Sequence, residues 1–354
     1  MMRSRFGLSV LAVVMAAVSA CSTTVTGTAG PDTGAAAPTA FGVPVTAADK
    51  QTFDTLDQVR SVDPCGFVDR AYFDAAGTIS LLGPSTELAQ CAIRFTPNGA
   101  RNPSYLYIDL DHNPPLNTEP TRQIAGEPVV ALGPDSYGNC KYKVPLRFPI
   151  VDTGSGQQDV VEIATVAYAM VSSSSFDSSE FGCGLAERLV TAIATAFRDD
   201  RIPRRSAAAT PVSEIELLTH NPCEIVAALP LQVRLSRLLV DFEPLGCSFM
   251  VDDNDDVAES VLVTFGLTRR PLESFRASDY VISVDGIPVL IHRDETIPPP
   301  TCIETFSVGP ELDPATGVEE VSRAKVQPIV NITGLCSTTE QIRPAAMRLF
   351  GATA

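Results

Sequence analysis

Asp63-Pro64-Cys65 recurs as Asn221-Pro222-Cys223, and the rest of the chain falls into place around the two copies. Asp and Asn favour the position before a helix, where the side-chain oxygen accepts an orphan backbone N–H of the first turn. Proline suits the next position, because its missing N–H is not needed there and its φ is already helical. Cys65 and Cys223 are therefore expected at the second helical position. Phe67, Val68, Ala71 and Tyr72 recur at helical spacing after the first triplet, and Ile225, Val226 and Leu229 after the second. Each triplet opens a unit of four cysteines: Cys65, Cys91, Cys140 and Cys183, then Cys223, Cys247, Cys302 and Cys336. Cys21 stands alone upstream. A helix N-terminus can activate a thiol, but two even sets in matching contexts point to a disulfide frame.

The units share an order. Cys91-Ala-Ile-Arg-Phe95 reads as a strand, matched by Gly246-Cys247-Ser-Phe249. Ser104 to Leu110 alternates, with Tyr105, Tyr107 and Asp109 on one face and Leu106, Ile108 and Leu110 on the other; Ser260 to Leu267 is its counterpart. Gly126-Glu127-Pro128-Val129 is echoed by Gly286-Ile287-Pro288-Val289, and Cys140 to Val144 by Cys302 to Phe306. Val160 to Met170 and Lys325 to Thr333 are the expected hairpin partners of those last strands. Cys183 is expected to begin a helix with Leu185, Leu189, Ile193 and Phe197 in one stripe. Cys336 leads another, with Ser337 and Glu340 as a capping box and Ile342, Ala345, Met347 and Phe350 facing inward.

The fold class is therefore α+β: two tandem related domains, each an antiparallel sheet with an N-terminal and a C-terminal helix. The expected boundaries are residues 51–200 and 213–354, with 201–212 as linker. Four cysteines allow three connectivities per unit. Pairing between neighbours is favoured: Cys65–Cys91, Cys140–Cys183, Cys223–Cys247 and Cys302–Cys336. Each bridge would stabilise its unit by about 3–4 kcal/mol through loop closure.

The 354-residue chain is 45% apolar, enough for two cores, and its net charge of −16 with few lysines argues against nucleic acid. At the N-terminus, Arg3 and Arg5 precede the apolar run Phe6 to Val18, too short to span a bilayer comfortably. Val18-Ser19-Ala20-Cys21 follows, resembling a bacterial lipobox. Residues 1–20 then form a signal peptide, and Cys21 is the lipidated first residue of an exported chain held at the outer face of the cytoplasmic membrane. Residues 21–50, mostly Thr, Ala, Gly, Ser and Pro, predict a flexible tether. Export permits disulfides.

Chemistry is sparse. His112, His220 and His292 have no metal-ligand partner at useful spacing, and the cysteines lack the C-x-x-C pattern of zinc sites. Asp252 to Asp256 resembles a calcium loop, but Val257 and Val263 occupy positions where an EF-hand needs Gly and Glu. An acidic hairpin tip fits better. No nucleophile elbow, phosphate loop or dinucleotide fingerprint appears, so no cofactor, metal or catalytic residue is assigned and the expectation is a non-enzyme.

Lipobox, tether, Asp-Pro-Cys, Cys-led strand and late Cys-led helix together resemble a family of actinobacterial envelope lipoproteins of unknown function. This chain differs in carrying two units and in having Asn221 for Asp. The resemblance implies an envelope location and no catalytic residues. The expected function is a binding or interaction module, contacting an envelope protein or a small ligand. The alternatives are a carrier of an apolar ligand such as a glycolipid, and a hydrolase with scattered acids.

Overall fold

A computed structural model describes residues 37–352, except 85–86, 112–120, 133, 135–138, 147–166, 176–178, 206–214, 241–242, 253–257, 269–271, 273–278, 297 and 313–325. Cys21, His112 and most of the expected tether and acidic tip lie outside the described residues.

The described chain opens with a two-residue ladder, β1 (Thr39–Ala40) with β2 (Val43–Pro44), and helix α1 (Ala47–Arg60). This is earlier than the expected boundary at residue 51. The reason is local: the Thr46 hydroxyl accepts the Asp49 N–H at 3.0 Å and the Asp49 side chain returns to the Thr46 N–H, a reciprocal cap that starts a helix. Phe53, Leu56 and Val59 are its buried stripe.

The first Asp-Pro-Cys triplet starts a four-residue 3-10 helix, Pro64–Phe67. It does not run on as one α-helix. Val68 is extended, and Asp69 caps a separate helix α2 (Arg70–Ala76). Seven strands follow: β3 (Gly77–Gly83), β4 (Gln90–Pro97), β5 (Ser104–Asp111), β6 (Thr121–Ile124), β7 (Glu127–Leu132), β8 (Cys140–Leu146) and β9 (Ala167–Ser175). They form an antiparallel sheet in the order β3-β4-β5-β9-β8-β7-β6. Helix α3 (Ser179–Arg198) lies across it. The helix starts four residues before Cys183, so the cysteine sits inside it.

After the second triplet comes only one helical turn, α4 (Glu224–Ala227), with Cys223 just before it. The next seven strands are β10 (Arg234–Leu239), β11 (Gly246–Asp252), β12 (Ala258–Thr268), β13 (Asp279–Val284), β14 (Ile287–Asp294), β15 (Thr301–Ser307) and β16 (Gln327–Leu335). Their order is β10-β11-β12-β16-β15-β14-β13, the same path through the sheet as the first. Helix α5 (Cys336–Leu349) covers β15 and β16. Its start is not the expected capping box. Ser337 is already helical, and Leu335, in the cap position, makes no side-chain cap. Glu259 of β12 caps the helix from the sheet, accepting the Leu335 N–H and the Thr338 hydroxyl.

Each sheet buries the face under its long helix. In the first, Ile93, Phe95, Leu106 and Ile108 of the sheet and Leu189 and Ile193 of the helix are fully buried, and Phe67 stacks on Phe197 with ring centres 6.1 Å apart. In the second, Phe249, Val261, Val263 and Val330 of the sheet and Ile342 and Ala346 of the helix are buried, and Phe265 meets Phe350 edge-on at 4.9 Å. The two hairpins β6-β7 and β13-β14 turn through Ala125-Gly126 and Asp285-Gly286, all with positive φ, as a two-residue type I′ turn requires. The described residues cluster as one compact unit.

Candidate functional site

All eight of these cysteines pair as neighbours. Cys65–Cys91, Cys140–Cys183 and Cys223–Cys247 have Cα separations of 5.2, 5.2 and 5.1 Å, and Cys302–Cys336 is at 4.8 Å; all are within disulfide range. The first bridge of each set ties a triplet turn to the second strand of its sheet. The second ties a central strand to the long helix. Asp63 Oδ1 accepts the Cys65 N–H at 2.9 Å and Asn221 Oδ1 accepts the Cys223 N–H at 2.8 Å, so both triplets aim their sulfur by the same Asx turn.

The histidines hold local roles. His220 Nδ1 lies 2.8 Å from Glu224 Oε2, and its ring stands edge-on to Phe350. His292 Nδ1 lies 2.8 Å from Asp279 Oδ1, its partner across β13 and β14. Among the described residues no three His, Cys, Asp or Glu side chains group as metal ligands.

A half-open cleft of about 800 Å³ lies at the C-terminal end of α5. Leu217, Val308 and Phe350 contribute an apolar floor; Glu216, His220 and Arg348 line it with polar and charged groups. The cleft exists because β15 ends at Ser307 and the chain turns away through Gly309 and Pro310, leaving space beside the last turn of the helix. Gln327, the first residue of β16, closes one side. Apolar floor with a few convergent polar groups is the usual make-up of a small-molecule site. A second groove, of about 640 Å³, runs between α2 and α3, over Phe67, Phe73 and Leu189. Arg188 lies over the Tyr72 ring there, 3.3 Å from its centre.

Sequence reading missed a buried polar cluster under α5. Glu304 of β15 is 2% exposed. Its carboxylate accepts the Thr339 hydroxyl at 2.8 Å and the Arg343 guanidinium at 3.1 Å. Burial raises its pKa above the ordinary glutamate value, and the Arg343 charge and the Thr339 hydroxyl offset this only in part. The cluster lines neither cleft. Its only sequence signal was a Glu in a strand position where the first unit has Tyr142, two residues past the corresponding cysteine.

No helix among the described residues is long and apolar enough to cross a membrane. No protein-family model, curated protein or solved structure matches the chain.

Proposed function

We propose that the chain is a lipid-anchored, extracytoplasmic binding module of the cell envelope, made of one four-cysteine domain used twice. Duplication is supported by the shared strand order of the sheets and by matching disulfides at matching elements. The N-terminal lipobox supports attachment through Cys21. Replacing Cys21 with Ala should abolish incorporation of a clickable palmitate analogue in exporting cells; undiminished labelling of the variant would remove the anchor.

The observation that carries the binding role is the cleft beside α5, with its apolar floor and charged lining. It fits a small amphipathic ligand better than an entirely apolar one. Gln327→Trp fills it from a half-buried strand position. Native mass spectrometry of the chain released from the envelope should show a retained mass on the wild type that the filled variant lacks. Identical spectra for both would sink the cleft as the site. The carrier of a glycolipid is the second reading, favoured by Leu217, Val308 and Phe350 in the floor. It predicts that the retained mass partitions into organic solvent.

A further inference from the structure

The two sheets end in four edge strands: β3 and β6 in the first, β10 and β13 in the second. An open edge offers unpaired N–H and C=O groups to any extended chain, and folds blunt it with bulges, charge or brevity. Three of these edges carry such a device. β3 is bulged between Ile79 and Leu81, and β10 between Leu235 and Arg237. β6 is four residues long and includes Arg122. β13 is six residues long and unbulged. Asp279-Tyr280-Val281-Ile282-Ser283-Val284 pairs regularly with β14 along its whole length. Its one charged residue, Asp279, is matched by His292 on the neighbouring strand.

Hairpin geometry fixes which groups face outward. Val284 and Ile287 flank the two-residue turn and exchange hydrogen bonds with each other. Alternation then points the backbone groups of Ile282 and Tyr280 at β14, and those of Val281 and Ser283 away from it. No described residue bonds the N–H or C=O of Val281 or Ser283. Tyr280 and Val281 are 43% and 39% exposed.

We propose that β13 is a homodimerisation edge, on which a second copy of this chain lays its own β13 antiparallel, joining two sheets into one. The occupant follows from self-complementarity and charge. Two central registers satisfy the outward groups. A two-fold axis at Ile282 sets Asp279 opposite Asp285 twice, a like-charge clash. An axis at Val281 sets Val281 against itself, Tyr280 against Ile282 and Asp279 against Ser283. Both registers set Tyr280 against a β-branched residue, Val284 in the first and Ile282 in the second; only the second has no opposed charges, so charge decides between them. Each chain carries a net charge of −16, so repulsion elsewhere opposes the dimer and salt, by screening it, tightens it. The proposal is independent of the cleft.

Sedimentation equilibrium of the purified full chain tests it. The wild type should show a reversible dimer that tightens severalfold between ~0.05 and ~0.5 M salt. Val281→Lys places two ammonium groups face to face at the axis and should weaken the dimer by at least about tenfold. Ser236→Lys, on the exposed edge β10, should leave it unchanged. Val281→Cys should link copies covalently without added oxidant beyond air, because directly opposed residues have Cα atoms about 5.5 Å apart, within disulfide reach. A wild type that stays monomeric at ~0.1 mM in all salts overturns the proposal. So does a dimer that Val281→Lys leaves intact, or a Val281→Cys chain that links in exporting cells only to a different protein.

Discussion

Asn221 stands where the first triplet has Asp63, and the neighbours explain the exchange. Asp63 is fully buried, and its charge acts on the buried Arg205 guanidinium, which desolvation lowers to about 10. Asn221 instead donates its amide to Asp57 Oδ1 of α1 at 2.8 Å. A carboxylate in its place would face a carboxylate. Asn221→Asp should therefore destabilise the fold by about 1–2 kcal/mol at neutral pH. The loss should shrink as the pair is protonated, measured by urea unfolding from pH 7 to pH 4. Glu304 poses the opposite problem. Removing Arg343 alone, as Arg343→Met, leaves a buried carboxylate without its ion partner and should cost on the order of 3–5 kcal/mol. Glu304→Leu with Arg343→Met should recover most of that, since apolar replacement of a buried pair is often neutral. The first half already places Tyr142 of β8 and Val190 of α3 at the matching positions. The pH sign follows from the direction of the shift. A glutamate whose folded pKa lies above its unfolded one keeps its proton better in the fold. The fold is thus favoured below the unfolded value of about 4.5, and that contribution is lost as pH rises through the folded value. The stability of Glu304→Gln relative to wild type should accordingly climb as pH rises from about 4.5, and a flat difference would refute the shift. The triplets were legible because an Asx turn is made within three residues. The Glu304 pair was not, because its members are 39 residues apart and meet only when α5 folds over β15.

At the scale of elements, the strands under the long helices could be read from alternation, because one face is fully buried and the period is clean. Leu106, Ile108 and Leu110 are buried as the pattern required. The outermost strands could not. β3 is only half-buried along most of its length, and its bulge puts Leu81 and Leu82 out of step with Ile79, so a period of two never develops. β13 did carry a usable signal, Asp285-Gly286 after an alternating run, which is the strongest short-range mark of a hairpin. The α5 cap failed for another reason. S-x-x-E describes a local cap, but Glu259 reaches the helix start from 76 residues away and takes its place. Ser337 is exposed. Glu259→Ala should therefore lower stability by about 1–2 kcal/mol, while Ser337→Ala stays within about 0.5 kcal/mol. Thermal melts of the two variants separate the caps, and equal losses would restore the sequence-based one.

Among the described residues, buried polar contacts tie the two sheet-and-helix halves together. The segment after α3 returns to the first triplet: the Asp63 N–H donates to the Pro203 carbonyl at 3.0 Å, and the Arg205 N–H to the Ser61 carbonyl at 2.9 Å. Gly66 permits this, since a Cβ there would lie 2.4 Å from Pro203 Cβ. Helix α1 faces the other way as well. Arg60, 7% exposed, donates to the Pro244 carbonyl at 2.8 Å, and Asp57 receives the Asn221 amide. Burial lowers the Arg60 pKa to about 10, with the Glu224 charge acting against that. A charge held this far from water is stable only while its partners stay in place. Separating the halves would strip Arg60 of the Pro244 carbonyl and free Asn221 from Asp57 in one event, so the contacts should couple the halves into a single unfolding transition. Calorimetry of the wild type should give one peak whose van't Hoff and calorimetric enthalpies agree. Arg60→Met with Asp57→Ala removes both links and leaves the Asx turn at Asn221 in place. It should split that peak in two, each half then melting at its own temperature with its disulfides intact. One undivided peak in the double variant would mean that apolar contact, rather than this polar tie, carries the coupling.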